Sequence, residues 1–123
     1  MTFAFDLDGT ITSGPEVYGE LMCSLKKSGH TVLVLTGSFG GDDAVTDSHE
    51  ARTRQLQLIG IEQGTHYDVL EVIVLPTIRD IAKAKANKCH DAKVDMFFDD
   101  RDPYLWATAV LSPKTVRVQP HRT

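Results

Sequence analysis

The chain has 123 residues, 41% of them hydrophobic, with 13 Lys and Arg against 17 Asp and Glu for a formal charge of −4. One domain spanning 1–123 with a single core is expected from that length; the charge excludes a broad basic surface for tracking nucleic acid, and the composition excludes disorder. Two cysteines, Cys23 and Cys89, are too few for a disulfide framework and lack metal-site spacing. No apolar run reaches membrane length and Asp6 and Asp8 interrupt the only early one, so a complete, reduced, cytoplasmic protein without signal peptide or membrane partner is expected.

In chain order, Thr2 to Phe5 is β-prone and runs into Asp6-Leu-Asp-Gly-Thr10. Pro15 opens a helix whose Tyr18, Leu21, Met22 and Leu25 recur at three and four residues, and Ser28-Gly29 ends it. Thr31 to Leu35 is a continuous apolar run, the pattern of a strand buried on both faces. A Gly-rich loop, Thr36 to Asp43, follows, and then a helix from about Asp47 to Ile59, stopped at Gly60. Val69 to Leu75 is a third strand closed by Pro76; Ile78 to His90 is a third helix. Val94 to Phe98 is a fourth strand leading into Asp99-Asp100-Arg101-Asp102, Pro103 to Leu111 a short helix, and Thr115 to Val118 a last strand.

Strands alternating with helices predict an α/β fold: a Rossmann-like three-layer sandwich around a mostly parallel five-stranded sheet. Ligands of such sheets bind outside the carboxyl ends of the strands. Asp6 and Asp8 end the first predicted strand, Thr36 the second, and Asp99 and Asp100 the fourth, so the polar clusters fall where a ligand is expected. Side chains at i and i+2 of an extended segment point the same way, so Asp6 and Asp8 can face one site. Their mutual repulsion calls for a divalent cation, and Asp99 or Asp100 would complete an oxygen shell suited to Mg2+. Which of the last two is the direct ligand stays open. Gly37 after Thr36 allows close approach of backbone to an anion.

The stretch Phe5-Asp-Leu-Asp-Gly-Thr-Ile-Thr12 resembles the first motif of haloacid dehalogenase (HAD) superfamily phosphatases. Leu35-Thr36-Gly37 is similar to the second motif, and Phe97-Phe98-Asp99-Asp100 to the fourth. The resemblance implies a magnesium-dependent phosphomonoester hydrolase working through an aspartyl-phosphate. In it Asp6 would be the nucleophile and Asp8 the general acid and base; Thr36, Gly37 and a lysine would hold phosphate, and Asp6, Asp8, Asp99 and Asp100 the metal. For the lysine, Lys85 falls on the apolar stripe of Ile78, Ile81, Ala82 and Cys89, whereas Lys83 falls off it and is the substitute.

No segment is long enough for an inserted cap domain, so the resemblance is to the capless class. Its open site implies a phosphorylated substrate, small or macromolecular, with a nucleic-acid end among the candidates, or a homo-oligomer covering the site. The loop Gly37 to Thr46 is the one local lid candidate. A non-catalytic phosphate-binding protein and a receiver-like signalling module are the rival readings. Arg52 and Arg54 could reach a ligand phosphate or base, but read more simply as exposed on a helix. Arg101 resembles the Asp-Asp-Arg of polynucleotide 3′-phosphatases or is a local ion-pair partner. Trp106 reads as core, and His30, His49, His66, His90 and His121 as surface residues without paired spacing.

Overall fold

The computed structural model describes residues 1–39 and 48–120. Five strands, β1 (Thr2–Asp6), β2 (Thr31–Ser38), β3 (Val69–Val74), β4 (Met96–Phe98) and β5 (Val116–Val118), form one sheet in the order β3-β2-β1-β4-β5. Every pairing is parallel. The connections are helical: α1 (Pro15–Lys27), α2 (His49–Leu58), α3 (Ile78–Asp91) and α4 (Asp102–Leu111). The five-stranded α/β sandwich is the architecture expected from the alternation of elements, and its sheet is parallel throughout.

The sheet separates two apolar layers by the two-residue period of its strands. Phe5, Leu7, Val32 and Val34 pack with Met22 of α1 and Leu56 of α2. Their neighbours Ala4, Leu33 and Leu35 face the other way and meet Cys89 of α3 and Leu105 of α4. Ile81 and Ala82 of α3 join Tyr104 of α4 in a further cluster. Full burial of a side chain such as Phe5 or Leu35 stabilises the fold by roughly 1.5–3 kcal/mol. Among the described residues, no helix is long and apolar enough to cross a membrane.

Four features differ from the sequence expectation. β2 continues through Thr36 and Gly37 to Ser38, because both residues are in register with β3, opposite Val72 and Ile73. Gly37 is therefore a strand residue, and a Cβ there would lie 2.7 Å from Cγ2 of Ile81, so glycine lets α3 pack against β2. β4 begins at Met96, two residues later than predicted. Trp106 is 66% exposed on the outer side of α4, and Leu21 of the α1 stripe is 36% exposed. Cys89 is buried and Cys23 partly so, and no disulfide links them. Residues 40–47, with half of the Gly-rich loop, most of the lid candidate and the first residue of the predicted second helix, lie outside the described residues, as does His121.

Candidate functional site

From β1 the chain builds outward on one side through β2 to β3, then crosses to lay down β4 and β5 on the other. The reversal falls between β1 and β4, where open α/β sheets bind ligands beyond the carboxyl ends of their strands. Asp6 is the last residue of β1, and Asp99 and Asp100 directly follow β4. Their carboxylates converge: one oxygen from each of Asp6, Asp99 and Asp100 lies within 4.8 Å of the others. All three residues are buried.

Lys85 meets this cluster from α3. Strand alternation turns Asp6 to the same face as Ala4, the face that α3 covers. Lys85 Nζ donates to Asp6 Oδ1 at 2.8 Å and to Asp99 Oδ2 at 3.0 Å. It lies 4.2 Å from the ring centroid of Tyr104, a cation–π contact. Lys85 is wholly buried, whereas Lys83 is exposed on the outer side of the helix. A buried ammonium without partners would shed its proton, so these carboxylates keep it charged. Burial works to lower the Lys85 pKa, and the two carboxylates outweigh it, leaving the pKa raised.

Among the described residues, three carboxylates gather here and the Lys85 ammonium is shared by two of them, Asp6 and Asp99. Burial pushes Asp6 up to about 7 against the pull of Lys85, with Asp99 adding to the rise. Asp99 is raised for the same first reason. Such a cluster is relieved by a further cation, and its all-oxygen donor set fits Mg2+. Asp99 also accepts a hydrogen bond from the Arg101 backbone N–H at 3.1 Å, which fixes the turn after β4.

Thr36 lies one residue beyond Leu35, the register partner of Asp6. It is 1% exposed, and its Oγ1 has no hydrogen-bond partner among the described residues. In the alternation of β2 it shares the face of Val32 and Val34, toward α1 and α2.

Asp8 stands apart from the acidic cluster. Gly9, at φ +80°, turns the chain there, and Asp8 is exposed. Its carboxylate is gripped by Arg52 of α2: Nη2 lies 3.1 Å from Oδ2, and Nη1 donates to Oδ1 at 3.3 Å. Arg52 itself is only 8% exposed, and it also donates to Gln55 Oε1 at 2.9 Å. The sequence signal for its inward position is the spacing of Arg52 to the buried Leu56, four residues along the same helix. Arg54, by contrast, pairs with Glu50 on the exposed face of α2, as its place on that helix suggested.

These elements define a doubly wound α/β protein with an acidic, lysine-bridged site at its topological switch point. No family model matches the sequence, and no curated protein matches it. Among solved structures, the fold is similar to that of a universal stress protein crystallised in complex with cAMP. The match has a TM-score of 0.52 at 16% identity and covers 98% of this chain and 96% of that one. This likeness shows the fold.

The family reading from the motifs is thereby corrected. A structural neighbour is a universal stress protein, and no family model matches the sequence to support the HAD superfamily. That membership, and with it the hydrolase and phosphatase reading and the aspartyl-phosphate mechanism, is withdrawn. The physical reason is that motif spacing reports where side chains gather. A doubly wound sheet gathers polar residues at its strand ends whatever the chemistry done there. In this chain, moreover, the expected acid–base residue Asp8 is engaged by Arg52.

Proposed function

We propose that the chain binds a small phosphate-bearing ligand of the nucleotide class at the strand ends, with a divalent cation, and serves as a nucleotide-responsive binding module. The buried hydroxyl of Thr36, without a partner among the described residues, carries this reading. An unmet buried donor costs about 1–3 kcal/mol, and a phosphate oxygen is the kind of acceptor that would satisfy it. The acidic cluster at the ends of β1 and β4 supports the cation: Asp6, Asp99 and Asp100 would hold Mg2+, which neutralises phosphate charge. Lys85 holds Asp6 and Asp99 in place as a fixed counter-charge. The universal stress protein of similar fold is seen with cAMP, a phosphate-bearing nucleotide, and this supports the ligand class.

The test is calorimetric titration of the wild-type protein with AMP and with cAMP, each with magnesium and with chelator, beside Thr36→Val. Saturable binding that magnesium strengthens and Thr36→Val weakens about tenfold is the expected result. Binding of equal strength in the variant would overturn the assignment of Thr36.

A further inference from the structure

We infer that Arg52 is a second anion-binding residue of this site, held in reserve by Asp8, whose carboxylate occupies the place a ligand's anionic group takes. The inference rests on the binding role proposed above and adds to it the residue that reads the ligand's charge. The geometry is that of an anion receptor: two guanidinium nitrogens face two oxygens of one group, at 3.1 and 3.3 Å. Such a fork accepts carboxylate or phosphate alike.

The two partners are unequally fixed. The Arg52 side chain is 10% exposed and is also tied to Gln55, whereas the Asp8 side chain is 54% exposed. Asp8 follows the end of β1 and precedes a glycine turn, so its carboxylate can swing into solvent without disturbing the sheet. Arg52 cannot leave as cheaply, since a buried guanidinium needs an anion beside it. Exchange of Asp8 for a ligand anion keeps an anion on these two guanidinium nitrogens throughout. Arg52 also belongs to α2, on the face of the sheet toward which Thr36 is turned, so one anion can draw on both.

Asp8 is thus a competitor of the ligand, and this gives the inference a distinctive sign. The experiment measures the affinity of inorganic phosphate, with magnesium present, for wild type, Asp8→Asn, Arg52→Gln, the double variant and Thr36→Val. Asp8→Asn should tighten binding by roughly three- to tenfold, and Arg52→Gln should weaken it by roughly tenfold. In the Arg52→Gln background, Asp8→Asn should change nothing, because its effect passes through the guanidinium. If Arg52→Gln does not fold, Asp8→Asn alone decides, its site being exposed.

Unchanged or weaker binding by Asp8→Asn overturns the inference. So does a gain that persists in the double variant, since Asp8 would then act by repulsion alone. The two readings separate cleanly. A flat Asp8–Arg52 cycle with Thr36-sensitive binding removes the reserve role and leaves the proposed function. Binding that ignores Thr36 but follows the cycle does the reverse, and no phosphate binding by wild type or Asp8→Asn removes both.

Discussion

A side-chain hydroxyl sealed from water without a partner weakens a fold, and Thr36 carries one among the described residues. Valine has the same branched shape without the polar atom. Thr36→Val is therefore expected to raise the unfolding free energy by about 1 kcal/mol while weakening ligand binding. Urea denaturation checks the first half; a loss of stability would show that the hydroxyl is satisfied. Lys85 is the opposite case, since its ammonium bridges two buried carboxylates. Removing it in Lys85→Met leaves those charges uncompensated, and a loss of about 3–5 kcal/mol is expected from such a broken buried pair. A loss below about 1 kcal/mol in the same measurement would mean that the carboxylates have another cation or take up protons instead. The inward place of Lys85 was legible from helical periodicity. The burial of Arg52 was not, because a charged residue on a polar helix reads as solvated until its partner, here Asp8 from another element, is known.

At the scale of elements, the strands were legible as apolar, β-branched runs and the helices as stretches with caps and a glycine stop. The errors lie at element ends and on single faces. Thr36-Gly37 read as the start of a loop because glycine is rare inside strands. In the fold, α3 comes too close to β2 there for a side chain: the added Cβ would meet Ile81 at 2.7 Å. Gly37→Ala is accordingly expected to cost about 1–3 kcal/mol by overpacking, and to cost less in an Ile81→Ala background than in wild type, both read from urea midpoints. An uncompensated, fully additive double variant would place the strain elsewhere. Trp106 read as core because large aromatics usually are, yet α4 buries only Tyr104, Leu105 and Thr108 and turns Trp106 outward.

A second link between elements is Asp68, just before β3, which accepts hydrogen bonds from the Lys26 ammonium of α1 and from the Val32 N–H of β2. Burial works to raise the Asp68 pKa, but the bonds from Lys26 and Val32 outweigh it and hold the carboxyl below its ordinary 3.8. A depressed folded-state value means the unfolded chain binds the proton first as the pH falls. The stabilisation is present above pH 3.8 and is lost as the pH falls through the folded-state value. Wild type should lose more stability than Asp68→Asn between pH 6 and pH 3, by under about 1 kcal/mol for so exposed a pair. Equal losses would show that this contact contributes nothing.

For the whole molecule, the alternating pattern specified a parallel α/β sheet, and three of the polar residues at predicted strand ends, Asp6, Asp99 and Asp100, come together in it. The sequence did not specify what the site does. Asp6, Asp99 and Asp100 converge because β1 and β4 flank the switch point of the sheet, a consequence of topology that different ligands and chemistries exploit. Reading a reaction from that convergence went beyond what spacing carries. What the geometry does carry, among the described residues, is a gathering of three buried carboxylates, two of them on Lys85, and one strand away an unmet hydroxyl on Thr36. The most direct measurement is titration of the wild-type protein with cAMP and AMP at fixed magnesium, repeated in chelator and with Asp99→Asn. Under the proposed function, saturable binding of at least one of these nucleotides is expected, weakened about tenfold or more by chelation and by the substitution alike. Binding of neither nucleotide with magnesium present, or binding indifferent to both changes, would contradict it.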